Sequence, residues 1–213
     1  MIHSLRAKVS RLIDPLRERY SLMNLDKEGV HRVNLCSASQ KIPGYVSVDF
    51  IGKVDLRLNL EKSNLPFDDD SLDAVLCMSA INYFTRTRGQ EIVREVYRVL
   101  RPGGIARFGV QDLRRLARRY VEGDLEFFSQ KLPDGRGRFD GPTLGDKFVA
   151  WFYGYEINGN PCRYFYDYES LAHLFKTARF TLVEEKHFME SRLDHIELID
   201  NRADQMFFLE AVK

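Results

Sequence analysis

Side chains that could bind a ligand occur directly after several short, apolar segments with strand character. In an open α/β sheet, ligands bind at the carboxyl ends of the strands, so the residues after each strand are the first candidates. Asp49 follows Val46 and Val48, and a carboxylate at this position can accept both hydroxyl protons of a ribose. An aspartate after a strand also forms turns and caps helices, so this residue alone does not define a nucleotide site.

The loop after the first of these segments is built from small residues. Ser37, Ala38 and Ser39 leave room for a ligand to approach the backbone. The loop contains neither the GxGxxG nor the GxxxxGKS/T pattern. A dinucleotide or ATP site that cradles phosphates is therefore disfavoured.

The candidate residues require a sheet to position them, and the sequence contains seven runs with strand character. These runs are His31–Cys36, Tyr45–Phe50, Val54–Leu58, Asp73–Met78, Ile105–Val110, Phe180–Phe188 and Gln205–Val212. Several of them are too continuously apolar for a solvent-facing strand, which indicates a sheet buried on both faces. Between the fourth and fifth runs, Thr87 is predicted to cap a helix that ends at Pro102-Gly103-Gly104, giving a βαβ unit with parallel pairing.

Helices are predicted in several other segments. Residues 1–23 carry apolar side chains at near-helical spacing, which predicts an amphipathic helix. Further helices are predicted to begin at Asp112 and Asp167, whereas residues 144–155 are ambiguous. Only eight residues, 37–44, separate the first two strands, although a parallel crossover normally needs about a dozen. Either the crossover is reduced to about one helical turn, or the two strands form a hairpin.

Composition excludes several classes of protein. With 213 residues, 44% of them hydrophobic, the chain can bury the core of one large globular domain. Its 32 Lys and Arg almost balance 31 Asp and Glu, so the basic excess of a nucleic-acid binder is missing and nucleic acid is a disfavoured partner. No apolar run has the length of a signal peptide or membrane span, which favours a cytoplasmic protein without a membrane partner. Three widely spaced cysteines argue against disulfides and against a metal site.

Three ordered segments resemble the motifs of a known family, the small class I S-adenosylmethionine-dependent methyltransferases of bacteria. The segments are VNLCSASQKIPGYVSVDF, LPFDDDSLDAVLCMSAINYF and EVYRVLRPGGIARFGVQDL. The tail, with YDYESLAHLFKTARF, SRLDHIELIDNR and FFLEAVK, is similar to one subgroup whose first crossover is abbreviated. The resemblance spans roughly residues 31–213 and would explain the short connection between the first two strands.

The resemblance implies a fold and a methyl donor. The expected fold is a Rossmann-like, doubly wound α/β sheet, mostly parallel, with an antiparallel last strand and a helical, aromatic cap inserted before the sixth strand. The expected donor is S-adenosylmethionine. The residues implied to bind it are Cys36, Ser37 and Ala38 at the methionine part, Asp49 and Phe50 at the ribose, Asn59 and Leu60 at the adenine, and Ser79 near the sulfonium.

The chain departs from the family pattern at two places. Cys36 and Ala38 stand where glycines are usual, and Asn82-Tyr83 stand where Glu-His is common. A Cβ atom at Cys36 would crowd the donor if the backbone φ there is positive.

Catalytic candidates follow the fourth and fifth strands. Methyl transfer needs the nucleophile and the methyl carbon to be held in line, and it needs a base only if the acceptor starts protonated. Asp112 and Tyr83 are the candidates, because both would project from the carboxyl edge of the sheet towards the acceptor. Asp112 has the alternative role of helix N-cap, and Tyr83 that of a packed aromatic residue.

The acceptor is expected to bind under the aromatic-rich stretch from Phe148 to Tyr168. Candidate substrate-binding residues are Asn82, Trp151, Tyr155, Arg163, Tyr164 and His173. The alternative for the aromatic residues is a subsidiary core, and for His173 a structural role on its helix. Residues 133–146, rich in Gly, Pro and Asp, are the candidate lid over this site.

We therefore expect a single methyltransferase domain over residues 1–213. It comprises an N-terminal amphipathic helix (1–25), a donor-binding half (31–112), a cap and acceptor region (113–168), and a C-terminal helix and strand pair (169–213). The expected reaction is methyl transfer to an oxygen of a small-molecule acceptor, such as a sugar or secondary metabolite. Two alternatives stay open: a catalytically degenerate binding protein of the same fold, and an RNA methyltransferase. The N-terminal helix is expected to cover the sheet or to mediate a homodimer.

Overall fold

Nine strands build two sheets in the computed structural model, which describes residues 16–26, 29–132, 134–153, 156–157 and 160–213. The strands are β1 (Arg32–Leu35), β2 (Val46–Asp49), β3 (Leu56–Arg57), β4 (Leu72–Met78), β5 (Leu100–Gln111), β6 (Glu156–Ile157), β7 (Asn160–Pro161), β8 (Leu182–Lys186) and β9 (Met206–Val212). The main sheet has the order β3-β2-β1-β4-β5-β9-β8, and β6 and β7 form a separate pair. In the main sheet β9 runs antiparallel to both of its neighbours and the other pairings are parallel, while β6 and β7 pair antiparallel. The predicted mostly parallel sheet with an antiparallel last strand is confirmed.

The helices lie in the connections between these strands. They are α1 (described over residues 16–23), a 3₁₀ turn (Ile81–Tyr83), α2 (Arg86–Val99), α3 (Leu113–Val121), α4 (Leu125–Phe128), α5 (Leu144–Tyr153), α6 (Tyr168–Thr177) and α7 (Ile196–Ile199). The ambiguous segment from residue 144 is helical as far as Tyr153. Asp112 and Asp167 cap α3 and α6, as predicted.

Two boundaries of the βαβ unit differ from the prediction. The N-cap of α2 is Thr85 and not Thr87, because the Thr85 side chain accepts a hydrogen bond from the Arg88 amide while Thr87 lies inside the first turn. The Pro102-Gly103-Gly104 segment belongs to β5, which starts at Leu100 and shifts its register against β4 before Ile105. Gly103 adopts φ +80°, a conformation that suits glycine at this irregularity.

The first two strands pair in parallel despite their short connection, which excludes the hairpin alternative. Val33 lies opposite Val46, and Leu35 lies opposite Val48. The connection contains turns at Gln40 and Tyr45 and no helix. The first crossover is therefore reduced to turns, as the resemblance implied.

The two faces of the sheet are covered by different material. On one face α2 and α6 pack over the strands and form a large apolar core. On the other face Ile42 and Tyr45 from the short crossover pack with Leu76 and with Ile199 of α7. The connection between β8 and β9 thus covers the face that the reduced crossover leaves open.

A buried ion pair fastens that connection to the sheet. The Arg107 guanidinium, on the interior strand β5, donates to both carboxylate oxygens of Asp200 at 2.8 and 2.6 Å, and both side chains are fully buried. Arg107 also donates to the Glu190 carbonyl at 2.9 Å and lies 3.8 Å from Glu210. Fully paired charges are the form in which a protein core tolerates them.

The described part of α1 packs against the edge of the sheet. Leu22 and Leu25 contact the main core, and the Arg57 amide of β3 donates to the Ser21 hydroxyl at 3.0 Å. Residues 1–15 of the predicted amphipathic helix lie outside the described residues. Residues 16–26 thus contact the edge of the sheet, and the sheet-covering role and the homodimer both stay predictions. No helix in the described part of the chain is long and apolar enough to cross a membrane.

Candidate functional site

The loop after β1 has the backbone conformation that glycine usually provides. Cys36 and Ala38 adopt φ values of +53° and +52°. Left-handed conformations cost energy for residues with a Cβ atom, and they persist where the surroundings enforce them. A positive φ at Cys36 is the condition under which its Cβ atom was expected to crowd the donor, and the structure meets this condition. Ala38 is exposed and Cys36 is half-buried, with its thiol beside the buried Cys77 thiol.

The Cys36 and Cys77 thiols hydrogen-bond each other. This bond, together with burial, holds the pKa of Cys36 well above its usual range. A thiol with a raised pKa stays protonated at neutral pH and is a poor nucleophile. These two cysteines therefore serve as buried packing groups beneath the loop.

Asp49 joins the loop after β1 to the turn after β2. One carboxylate oxygen accepts a hydrogen bond from the Ala38 amide at 2.8 Å, and the other accepts from the Phe50 and Ile51 amides at 2.6 and 3.1 Å. The side chain is buried, and this burial raises the pKa of Asp49 even though the three amides favour the charged form. The Arg57 guanidinium closes the same turn by donating to the Phe50 carbonyl.

The remaining predicted donor residues lie at the same edge of the sheet. The Asn59 side chain accepts from the Glu61 amide at 3.0 Å and forms a local turn. Leu60 is buried, and its carbonyl accepts from Arg88 at 2.7 Å. Ser79, at φ +54°, follows β4 and lies 3.3 Å from the Met206 sulfur through its hydroxyl. The predicted donor residues are therefore brought together along the carboxyl ends of β1, β2, β3 and β4.

A cavity of about 330 Å³ opens beyond the carboxyl ends of β4 and β5. Its described lining residues are Asn82, Tyr83, Gln111, Lys131, Leu132, Arg138, Trp151, Cys162, Phe165, Arg202 and Gln205. Three of the predicted residues, Tyr83, Asn82 and Trp151, are among them. The Arg202 guanidinium reaches the Ser79 hydroxyl at 3.5 Å. The wall of this cavity therefore contacts the carboxyl edge of the sheet, where the residues predicted to bind the donor lie.

Three buried polar atoms of the cavity have no protein partner in the described structure. They are Asn82 Oδ1, Gln111 Oε1 and Trp151 Nε1. Asn82 and Trp151 are 1% and 2% exposed, so these atoms are withdrawn from bulk water. An unsatisfied buried polar atom costs about 1–3 kcal/mol, and such atoms collect where a ligand supplies the missing bonds.

Hydrogen bonds connect three lining residues of the cavity, Asn82, Tyr83 and Cys162. The Asn82 amide nitrogen donates to the Cys162 sulfur at 2.9 Å, and Tyr83 hydrogen-bonds the same thiol. Burial raises the pKa of Cys162. The Asn82 carbonyl accepts from the Arg163 and Tyr164 amides, so this stretch of chain is fixed from both sides. The orientation of the Asn82 side chain is set by these contacts and leaves its Oδ1 without a protein donor.

The other described residues of the prediction are not among those that line the cavity, although Asp112 directly follows the lining residue Gln111. Asp112 accepts from the Arg115 amide at 3.1 Å, which confirms its role as N-cap, and its catalytic role stays a prediction. Arg163 pairs with Glu61 at 2.7 Å, the Tyr164 ring packs on Tyr166, and His173 is exposed on α6. Tyr155 lies outside the described residues.

The aromatic stretch forms a core of its own. Trp151 packs with Phe127, Phe128 and Phe139, and Phe148, Phe152 and Phe165 lie around this cluster. The subsidiary core is therefore confirmed, and Trp151 and Phe165 line the cavity as well. Arg138, from the candidate lid, is also part of the wall, while the lid motion itself stays a prediction.

Sequence reasoning missed several lining residues. Gln111 is the last residue of β5, so its position at a strand end could have marked it as a site residue. The sequence pattern favoured the neighbouring Asp112 as a catalytic candidate instead. Arg202 and Gln205 come from the connection before β9, and Arg138 from the segment after α4. These residues reach the cavity only through the long connections of the fold, which carry no local pattern. Among the described residues no cluster of side chains could hold a metal ion.

The fold and the position of the cavity define a class of protein, a Rossmann-like α/β protein with its site at the carboxyl edge of the sheet. A methyltransferase of this kind from Archaeoglobus fulgidus, solved as an S-adenosylmethionine-dependent enzyme, is 13% identical at a TM-score of 0.50, covering 96% of this chain and 94% of that chain. This likeness shows the fold.

Sequence comparisons find similarity to methyltransferases. A family profile described as a methyltransferase domain matches residues 8–108. The phthiotriol/phenolphthiotriol dimycocerosates methyltransferase of Mycobacterium tuberculosis is 36% identical over 95 residues, covering 45% of this chain. The match covers 29% of that relative's own length. Slightly less than half of this chain is therefore similar to a methyltransferase domain.

Proposed function

We propose that this chain transfers a methyl group from S-adenosylmethionine to a hydroxyl oxygen of a small molecule bound in the cavity. The observation that carries this proposal is the set of three unsatisfied buried polar atoms in a cavity whose wall touches Ser79. Hydroxyl groups both donate and accept hydrogen bonds, so one hydroxylated molecule can satisfy two acceptors and one donor.

The donor edge fits the methyl donor by its chemistry. A carboxylate has about four acceptor positions, and Asp49 uses three of them for backbone amides. The fourth can accept one ribose hydroxyl, and a second ribose hydroxyl would replace the Ala38 amide. The exposed, left-handed Ala38 lies in the loop that would move to release this bond. Asp49 would thus hold the ribose, and the backbone of Cys36 to Ala38 would lie along the methionine part.

Positioning accounts for most of the expected catalysis. When bound, S-adenosylmethionine supplies an activated methyl group, and the electron pair of the broken carbon–sulfur bond stays on sulfur. The acceptor oxygen forms the new bond to the methyl carbon and releases its proton to solvent or to a base. Asn82 and Gln111 would accept hydrogen bonds from acceptor hydroxyls and hold the reacting oxygen about 3 Å from the methyl carbon. Tyr83 lines the same space, and Asp112 is the proposed base.

The test is the formation of S-adenosylhomocysteine with defined acceptors. The purified chain is incubated with S-adenosylmethionine and a panel of hydroxylated small molecules, and both products are followed by mass spectrometry. We expect equimolar S-adenosylhomocysteine and methylated acceptor, with the rate reduced at least about tenfold in Gln111→Met. A chain that binds the donor but methylates no member of a broad hydroxylated panel would support the degenerate binding protein instead.

The RNA methyltransferase alternative is tested by measuring RNA binding at low salt. Specific and non-specific RNA binding both rest on phosphate contacts that strengthen at low salt. The near-neutral balance of 32 basic and 31 acidic residues predicts no binding of RNA oligomers at low ionic strength. Tight, salt-dependent binding in a filter or fluorescence assay would favour RNA as the acceptor.

A further inference from the structure

We infer that the acceptor is an acidic, hydroxylated small molecule, whose carboxylate or phosphate binds basic side chains of the cavity wall. This inference rests on the proposed function and names the substrate class of the same site. It follows from the charges of the residues around the cavity, which differ from the charge balance of the whole chain.

The described lining residues of the cavity include three basic side chains and no acidic one. Lys131, Arg138 and Arg202 line the wall, whereas the whole chain has 32 basic and 31 acidic residues. Lys131 and Arg138 come from the connection after α4, Arg202 comes from the connection after α7, and all three line the same cavity. Cations that focus on one cleft attract an anionic ligand.

One neighbouring carboxylate, that of Asp204, pairs with a basic side chain of the wall. Arg138 donates to the Gln130 side chain and lies 3.4 Å from Asp204. Arg202 reaches the neutral Ser79 hydroxyl at 3.5 Å, which is too long for a strong bond and allows the guanidinium to turn to a ligand. The basic groups at the opening thus exceed the acidic ones.

The unsatisfied polar atoms inside the cavity can form hydrogen bonds with hydroxyl groups of a ligand. Asn82 Oδ1 and Gln111 Oε1 need donors, and Trp151 Nε1 needs an acceptor. A volume of about 330 Å³ suits a molecule of the size of one sugar ring with an acidic substituent. A guanidinium recognises carboxylate and phosphate by the same paired hydrogen bonds, so both acids belong to the proposed class.

The experiment compares matched neutral and acidic probes. Calorimetric titrations measure the affinity of the purified chain for glucose, glucuronate and glucose 6-phosphate, without donor, at low and high salt. We expect both acidic probes to bind at least about tenfold more tightly than glucose, with the advantage reduced at high salt. The relative affinity of the two acids identifies whether carboxylate or phosphate is preferred.

Variants assign the preference to the cavity. The double variant Arg138→Gln/Arg202→Gln should lose the tenfold advantage, while the matched control Arg94→Gln, on the exposed side of α2, should keep it. Circular dichroism on each variant verifies that the fold is retained.

Two results would overturn the inference. One is equal affinity for the three probes, including the absence of binding by all of them up to tens of millimolar. The other is an acid preference that survives in the double variant. Binding of S-adenosylhomocysteine is measured separately: a chain that binds it without acid preference loses this inference alone, and a chain with acid preference that never binds it loses the proposed function.

Discussion

Asp49 after β2 and the buried polar atoms of the cavity differ in how far the chain itself satisfies them. At the donor edge, Asp49 is buried and accepts three backbone hydrogen bonds, so its polar atoms are satisfied by the chain itself. In the cavity, the buried atoms of Asn82, Gln111 and Trp151 have no protein partner. Ser37 Oγ in the loop after β1 is also buried without a described partner, so the contrast is between Asp49 and the three cavity atoms.

The difference indicates two tasks. A satisfied carboxylate keeps the loop after β1 in its left-handed conformation, which otherwise costs energy at Cys36 and Ala38. Unsatisfied atoms lower stability, but they give a ligand hydrogen bonds that need not be taken from other protein groups. Under the proposed function, Asp49 shapes the loop that would bind the donor, and the unsatisfied cavity atoms would bind the acceptor.

The largest effect is expected from the buried ion pair that supports the cavity wall. Asp200→Ala leaves the guanidinium of Arg107, which is buried in the sheet, without its bidentate partner. This should lower the free energy of unfolding by about 3–5 kcal/mol. Urea unfolding followed by circular dichroism measures the change. Because Asp200 precedes Arg202 by two residues, the wall should loosen as well. A loss below about 1 kcal/mol, similar to that of exposed Asp194→Ala, would show that the pair does not fasten this connection.

The second effect concerns the satisfied region. Asp49→Ala leaves the amides of Ala38, Phe50 and Ile51 without their acceptor, and the free energy of unfolding should fall by about 2–3 kcal/mol. Exposed Asp68→Ala is the matched control and should change it by less than about 0.5 kcal/mol. Equal stability of the two variants in urea would mean that the donor loop does not depend on this carboxylate.

The third effect is a pH dependence of donor binding. Burial raises the pKa of Asp49, so its carboxyl takes up a proton at a higher pH than an ordinary aspartate, whose pKa is about 3.9. Ribose binding uses the charged form as acceptor, so the affinity for S-adenosylhomocysteine should decrease as the pH falls through this raised pKa. Calorimetry between pH 8 and pH 4 measures the decrease, up to about tenfold per pH unit. A constant affinity down to about pH 4 would contradict the role of Asp49.

The smallest effect is a gain of stability in the unsatisfied region. Gln111→Met keeps the volume of the side chain and removes a buried acceptor that has no partner, so the free energy of unfolding should rise by about 1 kcal/mol. Acceptor methylation should fall in the same variant. Thermal unfolding measures the expected gain of stability, and the methylation rate measures the expected loss of activity. A destabilised Gln111→Met would mean that a protein partner satisfies this atom.

Local patterns in the sequence predicted the sheet well, because each strand carries its own apolar run and its own boundary signals. The place of Asp49 and Ser79 at the carboxyl edge was also predictable, since they stand at the ends of predicted strands, and their donor-binding role stays a prediction. The family resemblance supplied the reduced first crossover, for which the residues alone left two alternatives. Thr87 was wrong as the cap of α2, because Thr85 and Thr87 offer the same hydroxyl two residues apart and only the preceding 3₁₀ turn decides between them.

The cavity was less predictable for a physical reason. Arg138 and Arg202 are 64 positions apart in the chain and meet only after the cap and the last connection have packed. The buried pair of Arg107 and Asp200 is likewise separated by 93 residues. A basic residue inside an apolar strand such as IARFGV was the available signal for a buried charge, but its partner could not be chosen from the sequence. Tertiary contacts of this kind leave no periodic trace.

The most direct test of the account is the titration of S-adenosylhomocysteine into the wild-type chain and into Asp49→Asn, which keeps the shape of the side chain. The account predicts micromolar affinity for the wild type and a loss of at least about tenfold in the variant, with Asp68→Asn unchanged. Equal affinities would show that the ribose is not held at Asp49. An absence of binding by the wild type at millimolar ligand would contradict the methyltransferase function itself.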